Sequence, residues 1–164
     1  MTLASSVRLP FVWIHTNDRQ IFVGGRLTSC TIDLSNAMKL KDVTLTCTNT
    51  RWIAAVLRKL KHGHIDLQQI TIDICGLLRH PDFDRSIADP RNAIGEETYE
   101  KWLELDHLLA QLWESHSIRL KVLYNAPPSM SPVRARGWIE CLFPEIVERG
   151  IAELTERMPW LFRM

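Results

Sequence analysis

Two groups of side chains in this 164-residue chain have the types that bind metal ions. His62 and His64 are one residue apart, and imidazole nitrogens are common zinc ligands. No third ligand follows at a usable spacing, so we interpret the pair as a solvated, cationic turn. Asp82, Asp84 and Asp89 offer carboxylate oxygens to a divalent cation, but the glycine and distal glutamate of an EF-hand loop are missing. We therefore predict no metal site and no cofactor.

Asp106 is the carboxylate with the most unusual position. On a helical wheel of residues 98–116 it falls within the apolar arc, beside Trp102 and Trp113. A carboxylate there must be paired with a cation or accept backbone N–H bonds. Buried ionisable groups sometimes mark catalytic sites, but we interpret this one as a tether for a loop or a partner of an arginine such as Arg119. Asp106→Asn is expected to weaken folding.

Motifs of nucleophilic and phosphate-binding enzymes do not occur in the sequence. There is no Gly-rich phosphate loop, no G-x-S-x-G elbow and no Ser/His/Asp arrangement, so no catalytic residue is predicted. Cys30, Cys47, Cys75 and Cys141 include no C-x-x-C pair, and three of them lie in apolar, strand-like runs. Free thiols in such runs behave as small hydrophobes and predict a reducing compartment, the cytoplasm or the nucleus.

The composition is that of an ordinary globular protein. Apolar residues make up 46% and charged residues 24% of the chain, and the length fits a single domain over residues 1–164. The net charge of +1 provides no basic field for nucleic acid or an anionic membrane surface. No stretch reaches the roughly 18 apolar residues that span a bilayer. We expect neither nucleic acid nor membrane as a partner.

A repeated apolar pattern organises the middle of the chain. Leu40-x-x-Val43-x-Leu45 returns 27 residues later as Leu67-x-x-Ile70-x-Ile72. Between the copies, an apolar stripe at helical spacing predicts a helix from Asn49 or Thr50 to Gly63. A strand and a helix at this period are typical of a leucine-rich-repeat solenoid, whose units bury their apolar faces by stacking.

The flanking segments predict shorter or less regular elements. Residues 1–26 are interpreted as an irregular N-terminal cap or hairpin around a turn at 16–18, and Gly76–Glu97 as a long loop with at most one short helical turn. Residues 98–116 are the best helix, with an apolar arc wide enough for burial on two sides. Ile118–Val122 alternates as a strand, 50 residues after the preceding copy of the pattern.

The C-terminal residues 133–164 are interpreted as a cap on the repeats of residues 27–125. Trp138–Arg149 is predicted to be helical, with Pro144 either in a first turn or starting a new helix, and Gly150 ends it. Residues 151–158 suit either a last strand or a helix. A third copy of the pattern, Leu27-x-x-Cys30-x-Ile32, precedes Leu40 by 13 residues, too few for a strand, a helix and a return.

The predicted fold is therefore α/β, a short and irregular leucine-rich-repeat-like solenoid with a parallel sheet and outer helices. In strands of this pattern, the residues between the apolar positions face outward on the concave surface. This surface is polar and mixed in charge, which suits a protein partner. The predicted protein-binding residues are Asp42, Thr44, Thr46, Gln69, Thr71, Asp73, Arg119 and Lys121.

Three segments resemble F-box and leucine-rich-repeat-like proteins of basidiomycete fungi: Trp102–Arg119, Ser35–Leu45 and Leu142–Ile151. The likeness covers roughly residues 27–158, in the order that the family uses. It implies an adaptor in which an F-box docks the Skp1 subunit of a ubiquitin ligase and the repeats recruit a target. Leu9-Pro10 is similar to the start of an F-box, but the following residues lack its helical periodicity. The resemblance thus implies the repeat portion, without the motif for Skp1 docking.

We expect a non-enzymatic protein-protein interaction module, resembling the substrate-recruiting repeats of such an adaptor. One alternative is a small α/β ligand-binding or enzymatic domain with its site in the 76–97 loop. A concave pocket there with a strongly shifted carboxylate would favour it. A second alternative is a truncated family member without independent activity.

Overall fold

A computed structural model of the chain describes residues 12–15, 20–23, 42–46, 50–62, 67–79 and 86–157. Several sequence predictions lie outside these residues. Among them are the third copy of the pattern, the Leu9-Pro10 start, the turn at 16–18, Cys30 and Cys47, His64, and Asp82 and Asp84.

Within the described residues, six strands form one sheet in the order β2-β1-β3-β4-β5-β6. Strands β3 to β6 are parallel and follow one another in chain order, which confirms the predicted parallel sheet. Strand β1 pairs antiparallel with both β2 and β3. The strands are β1 Val12–His15, β2 Gln20–Val23, β3 Asp42–Thr46, β4 Gln69–Asp73, β5 Arg119–Tyr124 and β6 Ala152–Glu156.

The strand register reproduces the spacing of the apolar pattern. Val43 pairs with Ile70, so the 27-residue repeat places equivalent residues side by side. Ile70 pairs in turn with Leu120, at the 50-residue spacing read from the sequence. Leu120 pairs with Ala152, which resolves the ambiguous segment after Gly150 as a fourth parallel strand.

The connections between the parallel strands are helical. They contain α1 Thr50–His62, a 3-10 turn at Leu77–Arg79, α2 Pro90–Ile94, α3 Glu96–His116, α4 Pro132–Leu142 and α5 Pro144–Glu148. Helices α1 and α3 agree with the sequence prediction, and Pro144 starts a new helix. The described part of the 76–97 segment contains more helix than the predicted loop with one short turn. Asp89 caps α2 by accepting from the Arg91 N–H at 3.0 Å, which stabilises the start of this helix.

The core lies between the sheet and the helices. Inward side chains of the parallel strands, such as Leu45, Ile72 and Val122, are buried against apolar side chains of the helices. Helix α3 contacts α1, α2, α4 and α5, which explains its wide apolar arc. Its Trp102 ring meets Phe143 edge-on, with ring centroids 5.5 Å apart.

Across the described ranges, no helix combines the length and the apolar character needed to cross a membrane.

Candidate protein-binding face

The eight predicted binding residues form aligned rows across β3, β4 and β5, which we call the polar face. The first row, at the amino ends of the strands, is Asp42, Gln69 and Arg119. The second row is Thr44, Thr71 and Lys121, and the third contains Thr46 and Asp73. The rows arise because the strands are parallel and in register, so outward positions of neighbouring strands lie side by side.

Solvent exposure divides the polar face into an accessible and a buried part. Arg119 is exposed, and Asp42, Thr44, Thr46, Gln69 and Lys121 are partly exposed. Thr71 and Asp73 on the central strand are only 5% and 7% exposed. A partner can therefore reach the first row and the β3 side directly, whereas bulky substitutions at Thr71 or Asp73 would disturb packing within the fold.

The first row contains two charged side chains, Asp42 and Arg119. Neither Asp42 nor Arg119 has a side-chain hydrogen bond or ion pair within the part of the chain that the structure describes. Charged side chains elsewhere are commonly paired, as Arg58 is with Glu104, and Arg149 with Glu114 at 2.6 Å. On the second row, Lys121 lies 3.4 Å from Glu153 of β6. The unpaired charges of the polar face are thus concentrated at its amino edge.

A solvent-open hollow of about 360 Å³ adjoins this row, and we call it the amino-edge hollow. Its lining includes the first row together with Gln68, His116 and Ser117. Ser117 adopts a left-handed conformation with φ of 51°, and its N–H donates to the Trp113 carbonyl at 2.8 Å, which ends α3. The Arg119 N–H donates to the Gln68 carbonyl at 2.8 Å, which fixes the start of β5 against the entry to β4.

The carboxyl end of the polar face holds an ion pair. The buried Asp73 carboxylate lies 3.1 Å from Arg157 Nη1 and accepts the Cys75 N–H at 3.1 Å. Burial, then the nearby Asp73 carboxylate, raises the pKa of the Cys75 thiol to about 12. The thiol is therefore protonated at neutral pH, which disfavours a role as nucleophile. At the same edge, Asn125 is buried and its Oδ1 has no hydrogen-bond partner among the described residues.

The strongly shifted carboxylate belongs to Asp106, outside the 76–97 segment. Asp106 is 2% exposed, and its two oxygens accept the N–H groups of Glu145 at 2.6 Å and Ile146 at 3.1 Å. Burial raises its pKa to about 6, while the two N–H bonds act in the opposite direction. Asp106 therefore tethers the first turn of α5, and Arg119 plays no part in holding it.

The structure also bears on the candidate metal ligands, cysteines and tryptophans among the described residues. No group of three or more His, Cys, Asp or Glu side chains is placed to hold a metal ion there. Cys75 and Cys141 are free thiols. Trp102 and Trp138 are buried in the core.

Sequence reasoning missed His116, Ser117, Glu153 and Arg157 as neighbours of the polar face. His116 and Ser117 lie at the C-terminal end of α3, where periodicity gives no signal about neighbouring strands. Glu153 and Arg157 could be placed beside the polar face only if residues 151–158 formed a fourth parallel strand, and the sequence left that segment ambiguous. Comparison of the chain with family models, with curated proteins and with solved structures found no match.

Proposed function

We propose that this protein is a non-enzymatic protein-interaction module that binds its partner on the polar face. The observation that carries the proposal is the first row, where Asp42 and Arg119 present charges of opposite sign on one accessible edge, both unpaired among the described residues. Groups of this kind give specificity and orientation to protein–protein contacts. The mixed charges and the net charge of +1 favour a protein over nucleic acid.

We further propose that the sheet and helices form a short, irregular leucine-rich-repeat-like solenoid. Two features support this: the parallel strands follow in chain order with helical connections, and the 27-residue repeat aligns residue for residue. The resemblance to the repeat portion of basidiomycete F-box proteins supports a role in recruiting the target of a ubiquitin ligase. The free thiols Cys75 and Cys141 support the cytoplasm or the nucleus as its location.

Capture of partners by substituted proteins tests the proposed binding face. Thr44→Arg and Thr46→Arg each place a long cation on the partly exposed β3 side of the polar face, outside the amino-edge hollow. Thr98→Arg makes the same change at an exposed position of α3 and serves as the control. Proteins captured from the native cell by the unsubstituted chain would be quantified by mass spectrometry, and scored for Skp1 and for any second protein.

The captured amount of at least one protein should fall about tenfold or more with either face variant and stay unchanged with Thr98→Arg. Melting temperatures of all four proteins should agree closely, because none of the three positions is buried. Equal capture by the face variants and the control would contradict the polar face as the binding surface.

A further inference from the structure

We propose that two copies of this chain associate through β6, paired antiparallel across a two-fold axis at the edge of the sheet. The partner is a second copy because the charges along this edge are complementary to themselves. The interface is the backbone edge of β6 and not the polar face, so the association does not rest on the proposed function.

Strand β6 is the last strand of the sheet, and within the described residues it pairs only with β5. The N–H of Arg157, just after the strand, donates to the Tyr124 carbonyl of β5 at 2.7 Å. Because backbone groups point alternately to the two sides of a strand, the N–H and C=O groups of Ala152, Leu154 and Glu156 point away from β5. These groups have no backbone partner among the described residues, and an edge of this kind is a template for another chain.

The side chains of β6 leave this edge open to pairing. The strand contains no proline and no lysine, and its register with β5 has no bulge, so it lacks the usual devices that block an edge. On the inward side, Leu154 is partly exposed, whereas Val122 and Ile72 beside it in the sheet are each 1% exposed. An added strand would cover Leu154 further, which favours association because apolar surface is removed from water.

The charges on β6 select one antiparallel register. Outward-pointing backbone groups must face each other, so even-numbered residues lie opposite even-numbered residues of the second copy. The registers that align most of the strand therefore place Glu153 opposite Glu153, Thr155 or Arg157 of the second copy. Like charges directly opposite destabilise a strand pair and opposite charges stabilise it, so the register with Arg157 is favoured. By symmetry it contains the Glu153–Arg157 pair twice, with Thr155 opposite itself on the axis.

Both side chains of this pair can reach the second copy while keeping their present contacts. Glu153 is 68% exposed, and its Oε1 accepts from Thr155 Oγ1 at 2.9 Å and lies 3.4 Å from Lys121 Nζ. Arg157 is 59% exposed and uses Nη1 to contact Asp73 at 3.1 Å. Glu153 Oε2 and Arg157 Nη2 have no partner among the described residues. Opposite residues of an antiparallel pair have Cβ atoms about 4.5–5.5 Å apart, a distance that glutamate and arginine side chains span.

Sedimentation velocity of the full chain tests this association without any other protein. We expect the wild type to shift reversibly from monomer to dimer as its concentration rises. Glu153→Arg places arginines opposite arginines, and Arg157→Glu places glutamates opposite glutamates, so each variant alone should dimerise at least about tenfold more weakly. An equal mixture of the two variants restores both opposite-charge pairs and should restore the dimer. Glu148→Arg, the same reversal at an exposed position of α5, should dimerise as the wild type does.

A disulfide trap tests the register without reversing a charge. Thr155→Cys brings two thiols together on the axis, so mild oxidation should join the substituted positions of two chains, as mapped by mass spectrometry. Thr98→Cys, at an exposed position of α3, should form no such link. A wild type that stays monomeric up to millimolar concentration would overturn the β6 interface. Undiminished dimerisation of Glu153→Arg, or equal trapping at both positions, would overturn it as well.

Discussion

The Asp106 carboxylate joins α3 to α5 through two backbone N–H bonds, and its replacement is a test at the scale of one residue. In Asp106→Asn, the amide oxygen still accepts one N–H, but the amide NH₂ faces the other donor. The buried N–H is left unsatisfied, which should cost about 1–3 kcal/mol of unfolding free energy in a urea melt at pH 7. Glu100→Gln, at an exposed position of the same helix, should change stability by less than about 0.5 kcal/mol. An unchanged melt for Asp106→Asn would contradict the tether.

The wild-type protein and Asp106→Asn together show how pH acts on this residue. The pKa of Asp106 is raised from 3.8 to about 6, so the folded state keeps its proton at pH values where the unfolded state has lost it. The part of its contribution that comes from keeping the proton is therefore full below pH 3.8 and is lost as the pH rises through about 6, where the two N–H bonds to the carboxylate remain. Melts between pH 7 and pH 4 should show the difference between wild type and Asp106→Asn growing as the pH falls, by at most about 3 kcal/mol. A difference that grows with rising pH would mean that the N–H bonds outweigh burial.

At the scale of elements, two glycines differ in whether their backbone conformation tolerates an alanine. Gly150 has φ of +65° at the end of α5, where an L side chain is strained, although no heavy atom lies within 4 Å of the position that a Cβ would take. Gly137 lies inside α4 with the same open surroundings. Gly150→Ala should therefore destabilise by about 1 kcal/mol, and Gly137→Ala should stabilise by roughly 0.5–1 kcal/mol. Urea melts of both variants would measure this, and shifts of the same sign would contradict the assigned helix ends.

The elements differ in how far the sequence could predict them. Strands β3 and β4 and helix α1 were predictable because apolar side chains recur at strand and helix spacing between 40 and 72. Strand β6 was ambiguous because its inward position beside Leu120 is only an alanine, Ala152, which gives a weak apolar signal. Helix α2 was missed because it is five residues long and starts at a proline within a segment rich in turn-forming residues.

At the scale of the whole molecule, the composition of the candidate site depends on how the strands are aligned with one another. Alternation along each strand was enough to predict which side chains share the polar face. It could not predict that Thr71 and Asp73 are buried, or that Arg157 pairs with Asp73, because these follow from packing on the central strand. The amino-edge hollow likewise requires the end of α3 to lie beside the starts of β3 and β4, a contact between segments distant in sequence.

Site-specific photo-crosslinking in the native cell tests the proposed binding face most directly. Benzoylphenylalanine would replace Gln69, which lies partly exposed in the first row, and Thr98, which lies exposed on α3, in two separate proteins. We expect illumination to link the Gln69 position, but not the Thr98 position, to a discrete second protein. Crosslinks of equal yield from both positions, or from Thr98 alone, would contradict the polar face as the site where a partner binds.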